Sequence, residues 1–355
     1  MNNLNQTLEM IKPLDKTAME QARLRQDTLT KPPGSLGRLE ELSIQLAGIQ
    51  GKPIPQLNHK AVITMAGDHG VVAEKVGNWP QEVTAQMVIN FLRGGAGINV
   101  ISRQVGARII VVDMGIATTL EADPRLVSRK VGPGTRNMSI GPAMTANQAL
   151  QAIETGIDIV TNEVDAGLDI VGIGDMGIGN TTASSAICAA ITGKPAAEVT
   201  GRGTGLSDEQ LLHKTKVIEQ ALAVNSPDPA QPLDVLAKLG GFEIGGLAGV
   251  MLAAAAHHIP VVIDGFISGA AALIAVGLAP ALKDYLIASH LSAESGHRIM
   301  LDHLGLEPIF DLGLRLGEGT GAAIGIFLAE SAAKILDEMS TFAEAGVSEG
   351  EEASN

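Results

Sequence analysis

Residues 168–182, LDIVGIGDMGIGNTT, pass from a near-continuous apolar run through a glycine cluster into a helical stretch, Thr181 to Ile191, and that order decides the fold. An apolar run without clean alternation reads as a strand covered on both faces, and a turn into a helix is how parallel sheets cross over. Glycines let the backbone approach an anion, Asn180, Thr181 and Thr182 can donate hydrogen bonds, and the free N–H groups of a helix start favour a phosphate. The segment lacks the GKS or GKT of a Walker A loop and fits the dinucleotide fingerprint poorly. A tight turn with Thr181 or Thr182 as helix cap is the plain alternative.

Similar runs lie on either side: Ala61 to Met65, Arg108 to Val112, Pro260 to Ile263, and more weakly Tyr285 to Ala288 and Pro308 to Phe310. Helical stretches such as Glu82 to Leu92 and Thr145 to Glu163 separate them, so the sequence predicts an α/β fold, a Rossmann-like, mainly parallel sheet with helices on both faces. Most runs finish in an acid or a glycine (Gly67-Asp68, Asp113, Gly174-Asp175, Asp264-Gly265, Asp311), at the edge where open parallel sheets bind ligands. Residues 1–55 carry helical periodicity, many charges and no strand. They are expected to form a small helical domain with a C-terminal helix at 321–342, beside a sheet domain at 56–320 that holds the active site. Residues 343–355 are expected to be an acidic, disordered tail.

The 355 residues carry 25 Lys and Arg against 39 Asp and Glu, a net charge of −14, which gives no general attraction to nucleic acid or an anionic membrane. Cys188 is the only cysteine, so no intrachain disulfide exists; within an apolar helix it reads as packing rather than a nucleophile. The start, MNNLNQTLEMIKPLDK, has no secretory pattern, and a cytoplasmic protein is expected. Gly265 to Leu282 is 18 uncharged residues long, yet it is mostly Gly and Ala with Ser268 and Pro280, which reads as a helix in a core rather than a bilayer. Aromatics amount to Trp79, Tyr285 and six Phe, so the core must be aliphatic, with helices packed closely through Gly and Ala.

Two further glycine runs could carry chemistry. Gly201-Arg-Gly-Thr-Gly205, with Arg202 inside it and Lys214 on a following helix, offers a second phosphate cradle, unless those cations are merely solvated. Gly317-Glu318-Gly319-Thr320-Gly321 sets one carboxylate among glycines before the last apolar helix, either as a general base or as a helix-start acid complementing the macrodipole. His290, His297 and His303 lack the spacing of a metal site, and capping or surface roles are expected for them. No GxSxG elbow is present.

Together these motifs resemble the nicotinate-nucleotide:5,6-dimethylbenzimidazole phosphoribosyltransferase family. The resemblance is carried by TKPPGSLGRL at 30–39, AGDHGV at 66–71, Pro80 with Glu82-Val-Thr84, and GIGNTT at 177–182. It continues through GRGTG at 201–205, Asp264-Gly265-Phe266, Ser289-His290 with Ser292, Glu294, Gly296 and His297, and LGEGTG at 316–321. It implies a homodimer of Rossmann-like chains moving phosphoribosyl from nicotinate mononucleotide to an aromatic base, with no metal and no cofactor. It places Glu318 as the base. Asp175, Gly177, Ile178, Gly179, Asn180, Thr181, Thr182, Gly203, Lys214, Gly265, Phe266 and Ser292 fall around the donor, and Trp79, Pro80 and Met87 around the acceptor. Trp79, Met87 and Asp175 depart from the family pattern, where Ser, Gln and Glu are familiar. They leave open a less polar acceptor, such as a phenol or cresol, a purine in another geometry, or an unchanged pocket. One subunit of a heteromeric, p-cresol-accepting enzyme making O-ribosides is the nearer alternative, and a non-catalytic nucleotide-binding partner subunit the further one.

Overall fold

The computed structural model describes residues 3–203 and 205–348. Six strands form one sheet: β1 (Lys60–Gly67), β2 (Arg108–Gly115), β3 (Leu126–Ser128), β4 (Ile170–Met176), β5 (Val261–Ile263) and β6 (Leu286–Ala288). Every neighbouring pair is parallel. The spatial order is β3-β2-β1-β4-β5-β6, so the chain winds one way from β1 and the other way from β4. Between those two strands lies the topological switch point, the crevice in which doubly wound sheets bind ligands.

Alternation along β1 sorts the two faces: Ala61, Ile63 and Met65 enter one core cluster, Val62 and Ala66 the other. The first face is covered by the helices Ala146–Asp165, Asn180–Thr192, Phe242–Ala256 and Phe266–Leu278, the second by Glu82–Arg93, Gly97–Val105 and Thr320–Glu338. Close packing replaces aromatic bulk. The helices Ala146–Asp165 and Phe242–Ala256 meet backbone to backbone, because a Cβ on Gly156 would strike Gly246 O and one on Gly249 would strike Ile153 O. The uncharged stretch from Gly265 forms the helix Phe266–Leu278, buried from Phe266 to Ala275. Among the described residues no helix is long and apolar enough to cross a membrane.

Several details differ from the sequence reading. Pro308 to Phe310 is not a strand: one isolated bridge joins Phe310 to His290, and the N–H groups of Ile309 and Phe310 donate to carbonyls at the end of β6. The edge strand β3 replaces it, pairing over three residues with β2. The N-terminal helices also divide. Lys16–Thr28 and Arg38–Gln50 pack with Thr320–Glu338, where Arg25 Nε donates to Leu336 O at 2.6 Å. Asn3–Met10 instead lies on the sheet side, where Asn3 Nδ2 donates to Asp158 Oδ1 at 2.7 Å.

Part of the expected tail is ordered. Residues 343–345 belong to the short helix Phe342–Ala345, whose start is capped reciprocally by Thr341 and Glu344. The segment 349–355 lies outside the described residues.

Candidate active site

The carboxyl ends of β1 and β4 set the floor of a cleft. Gly177 follows β4 and sits against the Gly67 carbonyl at the end of β1, so the glycine loop occupies the switch point itself. Gly179 has φ +96° and ends the loop as N-cap of the helix Asn180–Thr192, a left-handed conformation that glycine adopts without strain. Asn180 and Thr182 donate their N–H groups within the turn, and Ile178 N–H donates to Thr84 Oγ1 at 3.1 Å. Among the described residues, the N–H groups of Gly179 and Thr181 have no protein acceptor.

The cleft wall is built from Asp175, Gly177, Ile178, Gly179, Asn180, Thr181, Gly203, Lys214, Gly265, Phe266, Ser292 and Trp79, all of which the sequence reading put at the site. Lys214 is fully buried, and its Nζ donates to Thr181 Oγ1 at 2.9 Å. Burial pushes its ammonium down to about 8, while the Glu294 carboxylate nearby pulls the other way. It forms no ion pair among the described residues. Its charge therefore stands in a dry setting where an anion would be strongly attracted.

Four expected site residues lie off that wall. Thr182 is buried behind the loop, Pro80 is exposed beyond Trp79, and Met87 is half-buried against the second core cluster. Glu318 is buried just behind Leu316 and Gly317, which do line the cleft.

The turn that holds Glu318 is unusual. Gly317, Glu318 and Gly319 all have left-handed φ, +81°, +66° and +96°, a costly conformation for a glutamate. Asp264, at the end of β5, holds the turn: Oδ2 accepts from Gly319 N–H at 3.1 Å, and Oδ1 from Gly321 at 2.7 Å and Ala322 at 3.2 Å. Thr64 on β1 donates to Glu318 O at 2.9 Å, and Gly174 on β4 leaves room for that backbone. Glu318 Oε2 accepts from Ile98 N–H at 3.1 Å, in the first turn of the helix Gly97–Val105. Its Oε1 accepts nothing among the described residues. Burial lifts this carboxyl above the ordinary carboxylate range; the Ile98 N–H opposes the lift and the Asp264 charge adds to it. A carboxylate held this way is a better proton acceptor than a solvated one. Asp175 is lifted further, well above its ordinary value, by burial first and then by the charges of Asp264 and Glu243.

Sequence reasoning missed several members. His290 and His297 are buried, not capping or surface groups; His290 lines the cleft 3.6 Å from Asp264, and His297 Nδ1 accepts from Ser292 N–H at 2.9 Å. Of the three, only His303 is exposed. Arg315 also faces the cleft and donates to Gly203 O at 3.2 Å; its signal was a cation two residues before the Gly317 turn. Of the pair His69 and Glu243, 2.7 Å apart beneath the loop, His69 stands in the AGDHGV stretch without a role assigned to it, and Glu243 showed only as a lone acid at the start of an apolar helix. Cys188 is buried packing, its thiol pushed up to about 12 by burial. Among the described residues, no group of three His, Cys, Asp or Glu side chains could hold a metal ion.

A doubly wound α/β sheet with a glycine turn and a buried lysine at its switch point, and a dry carboxylate beside them, is an arrangement suited to a group-transfer enzyme. The chain belongs to the phosphoribosyltransferase family DBI_PRT, whose model matches residues 11–347. It is 62% identical over 348 residues to the nicotinate-nucleotide–dimethylbenzimidazole phosphoribosyltransferase of Roseiflexus sp. (strain RS-1), across 98% of this chain and 99% of that one. The protein of the same name from Desulforudis audaxviator (strain MP104C) is 60% identical over 349 residues, across 98% of this chain and 99% of that one. The crystal structure of CobT from Thermus thermophilus superposes with a TM-score of 0.91 at 48% identity, covering 94% of this chain and all of that one.

Proposed function

We propose that this phosphoribosyltransferase moves the phosphoribosyl group of nicotinate mononucleotide to 5,6-dimethylbenzimidazole or a related aromatic base. The products are α-ribazole 5′-phosphate and nicotinate, and the step activates the lower ligand of cobamides. The observation that carries the reading is Glu318, a buried carboxylate with lifted proton affinity on a turn that Asp264 holds, next to a cradle that suits a phosphate. The names of the close relatives supply the substrates.

In this reading the phosphate meets the N–H groups of Gly179 and Thr181 and the Lys214 ammonium, while Gly203, Gly265, Phe266 and Ser292 surround the sugar and ring. An acceptor nitrogen attacks C1′ on the face opposite nicotinate. The C1′–N bond to nicotinate breaks with its electron pair going to the pyridine nitrogen. That nitrogen is cationic in the donor and neutral in the product, so the leaving group needs no acid. The new bond makes the acceptor's other N–H strongly acidic, and Glu318 takes that proton. Holding the two rings face to face in a dry cleft contributes through proximity. Trp79 on the rim, with Pro80 and Met87 beyond it, shapes the acceptor side.

A homodimer and a cytoplasmic setting belong to the same reading. Phe327 and Val100, both about half-exposed on helices that pack together, supply apolar surface for a second copy, and light scattering of the purified chain tests it.

The direct test is nicotinate release from nicotinate mononucleotide, followed by chromatography with mass detection. Dimethylbenzimidazole, adenine and p-cresol are supplied separately beside a Glu318→Gln control. Release with dimethylbenzimidazole and none in the control supports the reading; release with cresol alone, or no release, overturns the acceptor or the activity.

A further inference from the structure

We propose that His69 and Glu243 are positioning residues for the donor: a buried imidazole–carboxylate pair on which the Gly177–Gly179 loop rests. The inference depends on the reading that this loop holds nicotinate mononucleotide, and adds residues that touch neither substrate.

His69 follows β1 and is 1% exposed, and Glu243 in the first turn of the helix Phe242–Ala256 is 0% exposed. His69 Nε2 and Glu243 Oε1 are 2.7 Å apart. The backbone on all sides is cut away to admit the pair. A Cβ on Gly179 would lie 3.1 Å from His69 Cβ, and one on Gly177 3.5 Å from His69 Cδ2. On the far side, a Cβ on Gly241 would lie 2.5 Å from both His69 Cε1 and the Glu243 carboxylate, and one on Gly67 2.6 Å from Glu243 Oε2. The imidazole is thus a spacer with the loop above it and a helix-borne carboxylate behind it. Its height fixes how far the loop stands above the sheet.

Ion pairing does not explain the arrangement by itself. Burying two charged groups costs more than an exposed pair would, and an apolar spacer of similar volume would fold as well. What the pair provides is direction: a hydrogen bond locks the ring's rotation, so the edge facing Gly177 stays put. The helix carrying Glu243 is otherwise apolar from Ile244 to Ala256, so this one acid is the only charged link from that helix to the cleft. A loop whose backbone N–H groups must point at a ligand loses affinity when it can tilt.

The test uses the purified full-length chain below its melting temperature, with His69→Ala, His69→Gln and Glu243→Gln. Glutamine at 69 places a donor near the position of Nε2, and glutamine at 243 keeps an acceptor for the imidazole. In His69→Ala, KM for nicotinate mononucleotide rises at least tenfold, KM for dimethylbenzimidazole moves less than twofold, and kcat at saturating donor stays within threefold. In His69→Gln and Glu243→Gln, donor KM rises less than threefold. Should His69→Ala not fold, His69→Asn carries the same tenfold expectation, since it fills more of the ring's space than alanine does but is too short to reach Glu243. Donor KM at the wild-type value in the folded variant, or equal losses for donor and acceptor, overturns the proposal. Absence of turnover in the wild-type chain overturns the functional reading instead, and calorimetric binding of nicotinate mononucleotide then still compares the variants.

Discussion

The two glycine turns of the cleft have the same construction and opposite uses. Each ends in a glycine N-cap at φ +96°, Gly179 and Gly319, with no side-chain cap of its own, and each starts a helix that runs back over the sheet. At the second turn the helix start is already filled: Asp264 takes three N–H groups, and the fixed turn displays a glutamate. At the first, Gly179 and Thr181 line the cleft beside Lys214, and their N–H groups have no acceptor among the described residues. An internal carboxylate fills one helix start, and its absence leaves the other with the open N–H groups that the proposed function assigns to the donor phosphate.

The contrast is broken most severely by Glu318→Gln, which removes the proposed proton acceptor while keeping the shape. Turnover is expected to fall about 10²–10⁴-fold with donor Kd unchanged, as single-turnover kinetics beside calorimetry would show. Next is Asp264→Ala, which empties the filled helix start. Three buried N–H groups lose their acceptor, costing about 3 kcal/mol in denaturant unfolding, and Glu318 is no longer held.

Lys214→Met tests the other turn and should act in opposite directions on binding and stability. Donor affinity is expected to drop about 100-fold with the loss of a desolvated charge contact. The folded ammonium releases its proton near 8 and the unfolded one near 10.5, so the unfolded chain binds more protons between those values and stability rises with pH through that window. Below pH 8 the buried charge is a standing cost, and the variant should unfold about 2–3 kcal/mol later in urea at pH 7. Gly179→Ala is milder, placing a Cβ at a φ that side chains rarely adopt and 2.9 Å from Val72; about 1–2 kcal/mol of stability and a several-fold rise in donor KM are expected.

The smallest effect is a displacement in pH. In the proposed reaction the ionised form of Glu318 is the active one, so kcat is expected to rise with pH, with an acid limb above the ordinary carboxylate range because burial outweighs the Ile98 N–H. A limb at or below that range would show that the helix start of Gly97–Val105 dominates instead.

Much of this was legible along the chain because the sheet's central strands are apolar on both faces. β1, β2, β4 and β5 announce themselves as runs, and the donor loop as a glycine cluster between strand and helix. The edge strand β3 did not, since Leu126–Ser128 is short, half-buried and flanked by Arg125, Arg129 and Lys130. Phe310 misled for the converse reason: its apolar surface stacks on His290, and stacking needs no ladder. At the site, residues adjacent in sequence were found and long-range partners were not. His69 meets Glu243 across 174 positions, and Glu318 meets Ile98 across 220. The proton affinity of Glu318 was undecidable from composition, because burial and a helix start push it in opposite senses, and only packing weighs one against the other.

An aliphatic core has an optical consequence. The chain has one tryptophan, Trp79, which stands half-exposed on the rim of the cleft, and one tyrosine, Tyr285, which is buried far along the chain. The red-edge fluorescence of the whole molecule therefore comes from a single indole on the cleft that the proposed function gives to flat aromatic rings. Light emitted by this protein speaks for its cleft rather than for its fold, and under the proposed function arrival of a pyridine or benzimidazole ring is expected to change it without a label.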